Sequence, residues 1–294
     1  MSNFQLRQHS TARRWRKMKK QNTAAAEEIL RSKEPFCINA CSKFINRNSL
    51  NAQVWTLGDS GGISSLIIHV RQSLLPVFNK RNNIPVLHFL RGLFGTIPIR
   101  SIQGNVNDTE ILETTLEKIG LFTVEKVNCD LMCLNRVPSG YHSAGPAGLV
   151  IRKPEPCDMS ALAALHAAYE QEEVLPKGSV FNPAVSRLNS EKLFKNEQML
   201  VAELGGRLIG KINTNAVSFS RIQIGGVYVQ PEYRGNGIAR RMAGEFAASL
   251  FAQGSQKQNF RGISLFVKKS NKSACSVYRN IGFEVSGNYR ICYY

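Results

Sequence analysis

The chain has 294 residues, of which 43% are hydrophobic, and this is enough material for two ordinary domains with buried cores. Its 38 basic and 21 acidic residues give a formal net charge of +17 at pH 7. No apolar run is long enough to cross a membrane, and no charged-then-apolar leader precedes a cleavage site, so we expect a soluble protein of the cytoplasm with no membrane partner.

The first 20 residues are strongly basic, and no acidic residue interrupts them. This composition is typical of a flexible, solvated arm, and we predict such an arm over residues 1–20. The same charges could bind RNA or DNA by neutralising phosphates, without sequence specificity. Trp15 is the one aromatic residue between these charges, which argues against a stacking platform for bases. The basic residues are Arg7, Arg13, Arg14, Arg16, Lys17, Lys19 and Lys20.

Residues 21–140 alternate between helical and strand-like patterns. Amphipathic spacing predicts one or two helices over residues 21–47, interrupted near Pro35. Farther along, we predict strands at 52–57, 63–70, 85–90, 99–103 and 127–134, and a helix at 108–119. The alternation is typical of a domain in which helices pack on a sheet. A turn-rich stretch over residues 136–146 then predicts a boundary between an N-terminal domain, 21–140, and a C-terminal domain, 148–294.

Seven scattered cysteines are consistent with a reducing compartment. Two pairs, Cys37 with Cys41 and Cys129 with Cys133, have the spacing C-x-x-x-C and could indicate zinc. No histidine lies near either pair, so the pattern favours buried thiols over metal ligands. We therefore predict no metal site.

A glycine-containing loop over residues 234–239 connects a predicted strand at 225–229 to a predicted helix at 238–251. The first amides of a helix lack partners and carry partial positive charge, so a loop that leads into a helix can bind an anion. Gly235 and Gly237 permit positive φ and leave room for phosphate oxygens at the amides. The loop therefore indicates a phosphate site. The alternative is an ordinary turn with a solvated basic face.

A second motif lies over residues 271–283. At helical spacing, Asn271, Ala274 and Tyr278 share one face, and Gly282 ends the predicted helix before a new strand begins at Phe283. The small alanine leaves room for a slender ligand to pass between the two larger side chains. The alternative is that this face is only the buried stripe of a helix backed by a sheet.

Together the two segments resemble the pyrophosphate loop and the Asn-x-x-Ala-x-x-x-Tyr-x-x-x-Gly-Phe motif of the GNAT superfamily of N-acetyltransferases. The resemblance covers about residues 148–294. It implies an α/β (α+β) fold with a mixed, mostly antiparallel twisted sheet flanked by helices. It also implies an acyl-CoA-dependent N-acyltransferase, with acetyl-CoA as the preferred donor and an amine as the acceptor.

The resemblance assigns roles to individual residues. Backbone groups of the strand should bind the pantetheine arm, a strand amide near Val229 should polarise the thioester carbonyl, and the loop amides should hold the pyrophosphate. Tyr278 should protonate the departing thiolate, because a phenol of pKa ~10 is protonated at neutral pH. The implied cofactor site consists of Val227, Tyr228, Val229, Arg234, Gly235, Asn236, Gly237, Ile238, Ala239, Arg240 and Asn271.

An amine acceptor also needs a general base, which the motifs do not identify. Glu173 ranks first, because the apolar run that follows it indicates a partly buried corner. Each candidate could equally be a solvated surface carboxylate, and His166 could be no more than a helix-face residue. The other carboxylate candidates are Glu170, Glu172, Glu203 and Glu232.

The N-terminal domain resembles the degenerate first domain of bacterial tandem GNAT-like proteins, through residues 61–66 and the helix end at 169–173. Residues 91–96 contain arginine and glycines at the wrong spacing for a pyrophosphate loop, so we expect this domain to shape the acceptor cleft and not to bind CoA. The alternative function is a catalytically silent CoA-binding or scaffold module, tethered by the basic arm to nucleic acid or ribosomes. Neither the acceptor nor the oligomeric state follows from the sequence.

Overall fold

A computed structural model describes residues 13–59, 62–81, 84–97, 99–139, 141–142, 145–254 and 259–294. The strands are β1 Arg14–Lys17, β2 Gln53–Asp59, β3 Gly62–Val70, β4 Ser73–Phe78, β5 Ser101–Asn105, β6 Glu125–Leu134, β7 Val150–Arg152, β8 Met199–Leu204, β9 Arg207–Val217, β10 Arg221–Val229, β11 Gly262–Lys268 and β12 Glu284–Tyr293. The helices are α1 Thr23–Ser32, α2 Glu34–Ile45, α3 Leu87–Phe94, α4 Val106–Glu117, α5 Met159–Tyr169, α6 Pro183–Asn196, α7 Ile238–Gly254 and α8 Lys272–Asn280.

In the described residues, all strands belong to one 12-stranded sheet, in the order β1-β2-β3-β4-β5-β12-β6-β11-β10-β9-β8-β7. Neighbouring strands run antiparallel except for the pairs β4–β5 and β10–β11, which are parallel. Helices cover the faces of this sheet. The predicted fold class, a mixed and mostly antiparallel sheet flanked by helices, is confirmed.

The last strands of the two halves are exchanged. Strand β12 lies between β5 and β6, and β6 lies between β11 and β12, so each half places its last strand inside the other half's sheet. The backbone hydrogen bonds of these strands are therefore made across the predicted domain boundary. The limits 21–140 and 148–294 stay a prediction, because the sheet continues across them without an edge.

Helix α7 shows how the core is built in the C-terminal half. Its residues Met242, Phe246 and Leu250 repeat every four positions, share one face and are fully buried. They pack with Ile263 and Leu265 of β11 in one hydrophobic cluster. Within the described ranges, no helix is both long and apolar enough to cross a membrane.

The predicted flexible arm is wrong where the structure describes it. Residues 14–17 form strand β1, which pairs antiparallel with β2. The ring of Trp15 stacks on that of Phe89, with 5.1 Å between the centroids, and lies tilted against Phe78, with 6.1 Å between the centroids. Burial of the indole against these rings fixes a segment whose charges alone predict solvation. Residues 1–12 of the predicted arm, including Arg7, lie outside the described residues.

The predicted strand at residues 85–90 is also wrong, because helix α3 begins at Leu87. A short apolar run fits either element, and here Leu90 and Leu93 are buried at helical spacing. Strand β4 was not predicted. Proline usually interrupts a strand, but here Pro76 is paired with Ile67 of β3. The interruption near Pro35 is confirmed, since α1 ends at Ser32 and α2 begins at Glu34.

A buried carboxylate joins the two halves. Glu34, at the start of α2, is 5% exposed and accepts hydrogen bonds from the Ser218 hydroxyl (2.5 Å), the Ser220 amide (2.6 Å) and the Ser220 hydroxyl (2.6 Å). These serines form the turn between β9 and β10. The guanidinium of Arg31 lies 4.0 Å from the ring centroid of Phe219 in the same turn. This contact sets the start of β10 against the N-terminal half.

Glu34→Ala should lower the free energy of unfolding by about 1.5–3 kcal/mol, because it removes charge-assisted hydrogen bonds and leaves the Ser220 amide without its acceptor. Urea denaturation measures the loss. Glu28→Ala, on the exposed face of α1, is the matched control and should change the unfolding free energy by less than about 0.5 kcal/mol. Equal effects of the two variants would contradict the role of Glu34.

Candidate functional site

The parallel strands β10 and β11 diverge to open a cleft. They pair only over Arg221–Gln223 with Gly262–Ser264, and beyond that point no β10–β11 pairing is found in the described residues. The edge of β10 that follows is free to pair with a ligand, as the sequence predicts for a splayed strand end. A cleft of about 510 Å³ lies along it and is lined by residues from both halves of the chain.

A β-bulge shapes the wall of the cleft formed by β10. Gly225 of β10 pairs with Asn213 of β9, and Tyr228 pairs with Lys211, so β10 has one residue more than β9 between these two pairs. Within the bulge, Gly226 has φ +60°. A Cβ added at Gly226 would lie 2.1 Å from the Asn213 side chain, so both the backbone angle and the space require glycine there. Val227, the next residue, lines the cleft.

Lys211 lies behind this bulge and is fully buried. Its ammonium nitrogen donates to the Gly226 carbonyl (3.0 Å) and to Asn213 Oδ1 (3.3 Å), and it lies 4.6 Å from the ring centroid of Tyr169. No carboxylate of the described chain lies within ion-pair distance of it. Burial lowers the pKa of Lys211 to about 7, with Glu170 opposing the shift, so about half of this lysine is neutral at pH 7.

Sequence reasoning did not identify Lys211. A single lysine in an otherwise apolar and amide-rich strand was the available signal, but such a lysine usually points to solvent. Only the tertiary structure, in which both faces of β9 are covered, distinguishes a buried lysine from an exposed one.

Tyr278 and Tyr169 both line the cleft. Tyr278, on α8, is 7% exposed and packs against Phe283 at 5.8 Å. Burial raises the pKa of Tyr278 well above its usual value, and nearby Tyr169 and Glu173 raise it further, so the phenol is protonated at neutral pH. Burial likewise raises the pKa of Tyr169 to about 12. The phenol of Tyr278 is therefore protonated and lies in a largely water-free wall of the cleft.

Asn271 and Glu173 lie together in the same cleft. Asn271 caps α8, where its Oδ1 accepts from the Ala274 amide (3.0 Å), and its Nδ2 donates to Glu173 Oε1 (3.2 Å). The ammonium of Lys268 is 3.1 Å from Glu173 Oε2. Asn271, Ala274 and Tyr278 all line the cleft, as the helical spacing predicts, and Glu173 lines it with them.

The other four carboxylate candidates do not line the cleft. They are Glu170, which accepts from Asn189 (3.1 Å); Glu172, paired with Arg234 (2.7 Å); Glu203, paired with Arg152 (2.7 Å); and Glu232, which is exposed. His166 is buried outside the cleft, 3.2 Å from Glu170 without hydrogen-bond geometry, and burial lowers its pKa. Of all these groups, Glu173 alone has the position of a base.

The loop before α7 has two glycines at positive φ and several backbone amides without acceptors in the described chain. Gly235 and Gly237 have φ values of +81° and +78°, and a Cβ built at Gly235 meets nothing within 4 Å. The amide of Arg241 donates to the Gly237 carbonyl (3.0 Å), whereas no acceptor in the described chain contacts the amides of residues 235–240. These donors, and the open space above them, fit the oxygens of a diphosphate.

The arginines of the loop differ in their partners. Arg234 pairs with Glu172 through both guanidinium nitrogens (2.8 and 2.7 Å) and donates from Nε to the Val229 carbonyl (2.9 Å), so it clamps the loop to the end of β10. Arg241 pairs with Glu245 (2.9 Å). The buried Nε of Arg240 has no partner among the described residues. Arg240 is therefore the guanidinium available to an anion.

The paired cysteines are buried thiols, with Cys37 and Cys41 sulfurs 3.6 Å apart. In the part of the chain that the structure describes, no three metal-ligating side chains come together.

Residues 163–283 match the model of the Acetyltransferase (GNAT) family. A search of curated proteins found no significant match.

Solved structures extend the likeness to nearly the whole chain. A Drosophila protein has a TM-score of 0.66 at 12% identity and covers 96% of this chain and 99% of its own. A tandem GNAT protein from the clavulanic acid biosynthesis pathway has a TM-score of 0.58 at 10% identity, and the match covers 96% of this chain and 98% of that protein. A GCN5-related N-acetyltransferase from Sphaerobacter thermophilus has a TM-score of 0.58 at 18% identity, and the match covers 95% of this chain and 94% of that protein. At these identities the likeness establishes the tandem GNAT fold.

Lys211 should make stability depend on pH in a defined direction. Its pKa is about 7 in the folded protein and near its ordinary value of 10.5 when unfolded, so between these values the unfolded chain binds more protons and stability rises with pH. The unfolding free energy of wild type, relative to that of Lys211→Met, should rise by about 1 kcal/mol per pH unit on average between pH 7 and 9. Urea denaturation at several pH values tests this. Lys195→Met removes an exposed lysine, and the pH dependence of its unfolding free energy should match that of wild type. If Lys211→Met also showed the pH dependence of wild type, the buried neutral amine would be refuted.

Proposed function

We propose that the protein is an acyl-CoA-dependent N-acyltransferase that transfers an acetyl group from acetyl-CoA to a primary amine by direct attack. One observation carries the proposal: the unpaired edge of β10 leads from a cleft containing Tyr278 and Glu173 to a loop with free amides. This is the arrangement that a long ligand with a diphosphate at one end and a reactive thioester at the other requires. The GNAT family match supports the same activity.

The donor lies along β10. Amides from Gly235 to Arg240 hold the diphosphate, and the Arg240 guanidinium adds a charge-assisted hydrogen bond. The backbone of Val227, Tyr228 and Val229 pairs with the amide groups of the pantetheine arm. Asn236 stabilises the loop through hydrogen bonds to the Tyr233 carbonyl (3.2 Å) and the Arg234 carbonyl (3.3 Å). Arg234 acts as the clamp of the loop rather than as a phosphate ligand.

The bulge supplies the donor that polarises the thioester carbonyl. In a trans peptide the C=O and the N–H point in opposite directions. Because the Gly226 carbonyl points to Lys211, the amide of Val227 points away from Lys211, toward the cleft that Val227 lines. Lys211 is thus a positioning residue for an amide that stabilises the tetrahedral oxyanion. This places the donor two residues before Val229.

The proton transfers complete the reaction. The neutral amine attacks the thioester carbonyl carbon, the C–S bond breaks, and Tyr278 donates its proton to the sulfur. The proton that the nitrogen then loses as the amide forms restores the Tyr278 phenol. Forming the neutral amine from an ammonium of pKa ~10.4 at pH ~7 costs about 4.6 kcal/mol, so a base must take the proton. Glu173 receives it, because its carboxylate is in the cleft and is held in place by Lys268 and Asn271.

Tyr278→Phe should lower kcat about 100-fold or more and leave the KM for acetyl-CoA within a few-fold, since the phenol acts on the leaving group and not on the bound donor. Thiol release with an amine panel measures both constants. Tyr289→Phe is the control, because Tyr289 is an equally buried phenol that lies outside the cleft. Full turnover by Tyr278→Phe would remove the acid role, and CoA binding without turnover by wild type would favour the silent binding module.

Arg240→Met should weaken binding of CoA about 10–100-fold, because it removes one charge-assisted hydrogen bond to the diphosphate. Calorimetry measures the dissociation constant. Arg241→Met removes the same charge from the next position, but that guanidinium already pairs with Glu245, so the loss should be a few-fold at most. Equal losses would show that only the general positive field matters.

A further inference from the structure

The N-terminal half brings two positive charges into the cleft. Lys43, near the end of α2, and Arg71, in the turn between β3 and β4, both line it. In the described chain, no acceptor lies within hydrogen-bond or ion-pair distance of either side chain. Burial lowers the pKa of Lys43, and the charge of Arg71 lowers it further. The two like charges repel one another, and the charge of Glu197 opposes this effect at Lys43.

In the described chain, none of the nearby carboxylates forms an ion pair with Lys43 or Arg71. Glu173 pairs with Lys268, and Glu125 accepts from the Lys177 amide (2.8 Å). Glu197, which acts on Lys43 through its charge, accepts a hydrogen bond from the Thr214 hydroxyl. The positive pair is therefore the part of the cleft that can accept a negative charge from a ligand.

The backbone at Arg71 supports a functional role. Its φ is +54°, in the left-handed region that glycine, asparagine and aspartate ordinarily occupy in tight turns. An arginine there costs stability, and strained residues of this kind cluster at ligand sites.

The two charges do not belong to the diphosphate site. That site follows the last residue of β10, and its loop is clamped by Glu172 of the C-terminal half. Lys43 and Arg71 come from the opposite half and line the cleft together with the β10 residues from Gln223 to Val227. No residue of the loop 234–239 lines this cleft, so a ligand group bound by Lys43 and Arg71 is separate from the diphosphate.

We propose that Lys43 and Arg71 form a carboxylate-binding subsite, so that the acceptor is a free amino acid or a close relative whose amine and carboxylate are bound together. This inference rests on the proposed function. The planar guanidinium fork matches a carboxylate, and the ammonium adds a point charge. With the carboxylate bound at Lys43 and Arg71, the amine of the acceptor lies toward Glu173 and the thioester.

The test compares amino acids with the amines formed by removing their carboxylates, such as glycine with methylamine, lysine with cadaverine and tyrosine with tyramine. The best amino acid should have a kcat/KM at least about 30-fold above its matched amine. Lys43→Met and Arg71→Asn should each raise its KM about 10–100-fold while changing the KM for acetyl-CoA little. Asparagine tolerates the left-handed backbone, so Arg71→Asn removes the charge without adding strain. Lys195→Met, an exposed lysine on α6, is the charge-matched control.

Each adverse outcome has a separate meaning. Equal rates for amino acids and matched amines would overturn the subsite, as would a preference for phosphoethanolamine, which points to a phosphate. Variants that change the KM for succinyl-CoA but not for the amino acid would assign the charges to the acyl group instead. If the protein binds CoA and releases no thiol with any amine, the proposed function fails; calorimetry of amino acids and matched amines in the presence of CoA then still decides the subsite.

Discussion

The exchange of β6 and β12 is the constraint on which the rest of the structure depends. Each strand completes its sheet only by hydrogen bonding inside the other half, so the two halves are fixed relative to one another by backbone pairing. Because of this, residues from both halves face one another across the diverging strands β10 and β11. The cleft, and every group assigned to it, is a product of that pairing and of the Glu34 contact that fixes the start of β10.

Removal of water sets the protonation states on which the chemistry relies. The same burial keeps Tyr278 protonated and makes Lys211 readily neutral, because in each case the charged form is the one that loses hydration. The two groups lie on different sides of the bulge in β10, one in the cleft and one behind it. In the proposed mechanism, a proton donor and a carbonyl-orienting amine therefore both depend on this one physical effect.

The sequence predicts the site where function depends on local geometry. Gly235, Gly237, Asn271 and Tyr278 act through a turn, a cap and a helical spacing, and these are properties of short segments. The fold class and most elements follow for the same reason. Lys211 and the strand exchange depend on contacts between distant parts of the chain, which no local pattern encodes. Residues 14–17 were missed because packing of one indole overrides the charges around it.

The interleaved sheet also has a consequence for synthesis of the chain. Strand β6 leaves the ribosome roughly 130 residues before β11, its sheet neighbour, which at typical elongation rates is a delay of several to some tens of seconds. During that time both edges of β6 lack their final partners, β11 and β12, so the N-terminal half cannot complete its part of the sheet alone. The nascent N-terminal half therefore has to be kept from pairing with other chains until the C-terminal half arrives. Maturation of this protein is a single event that waits for the last strand.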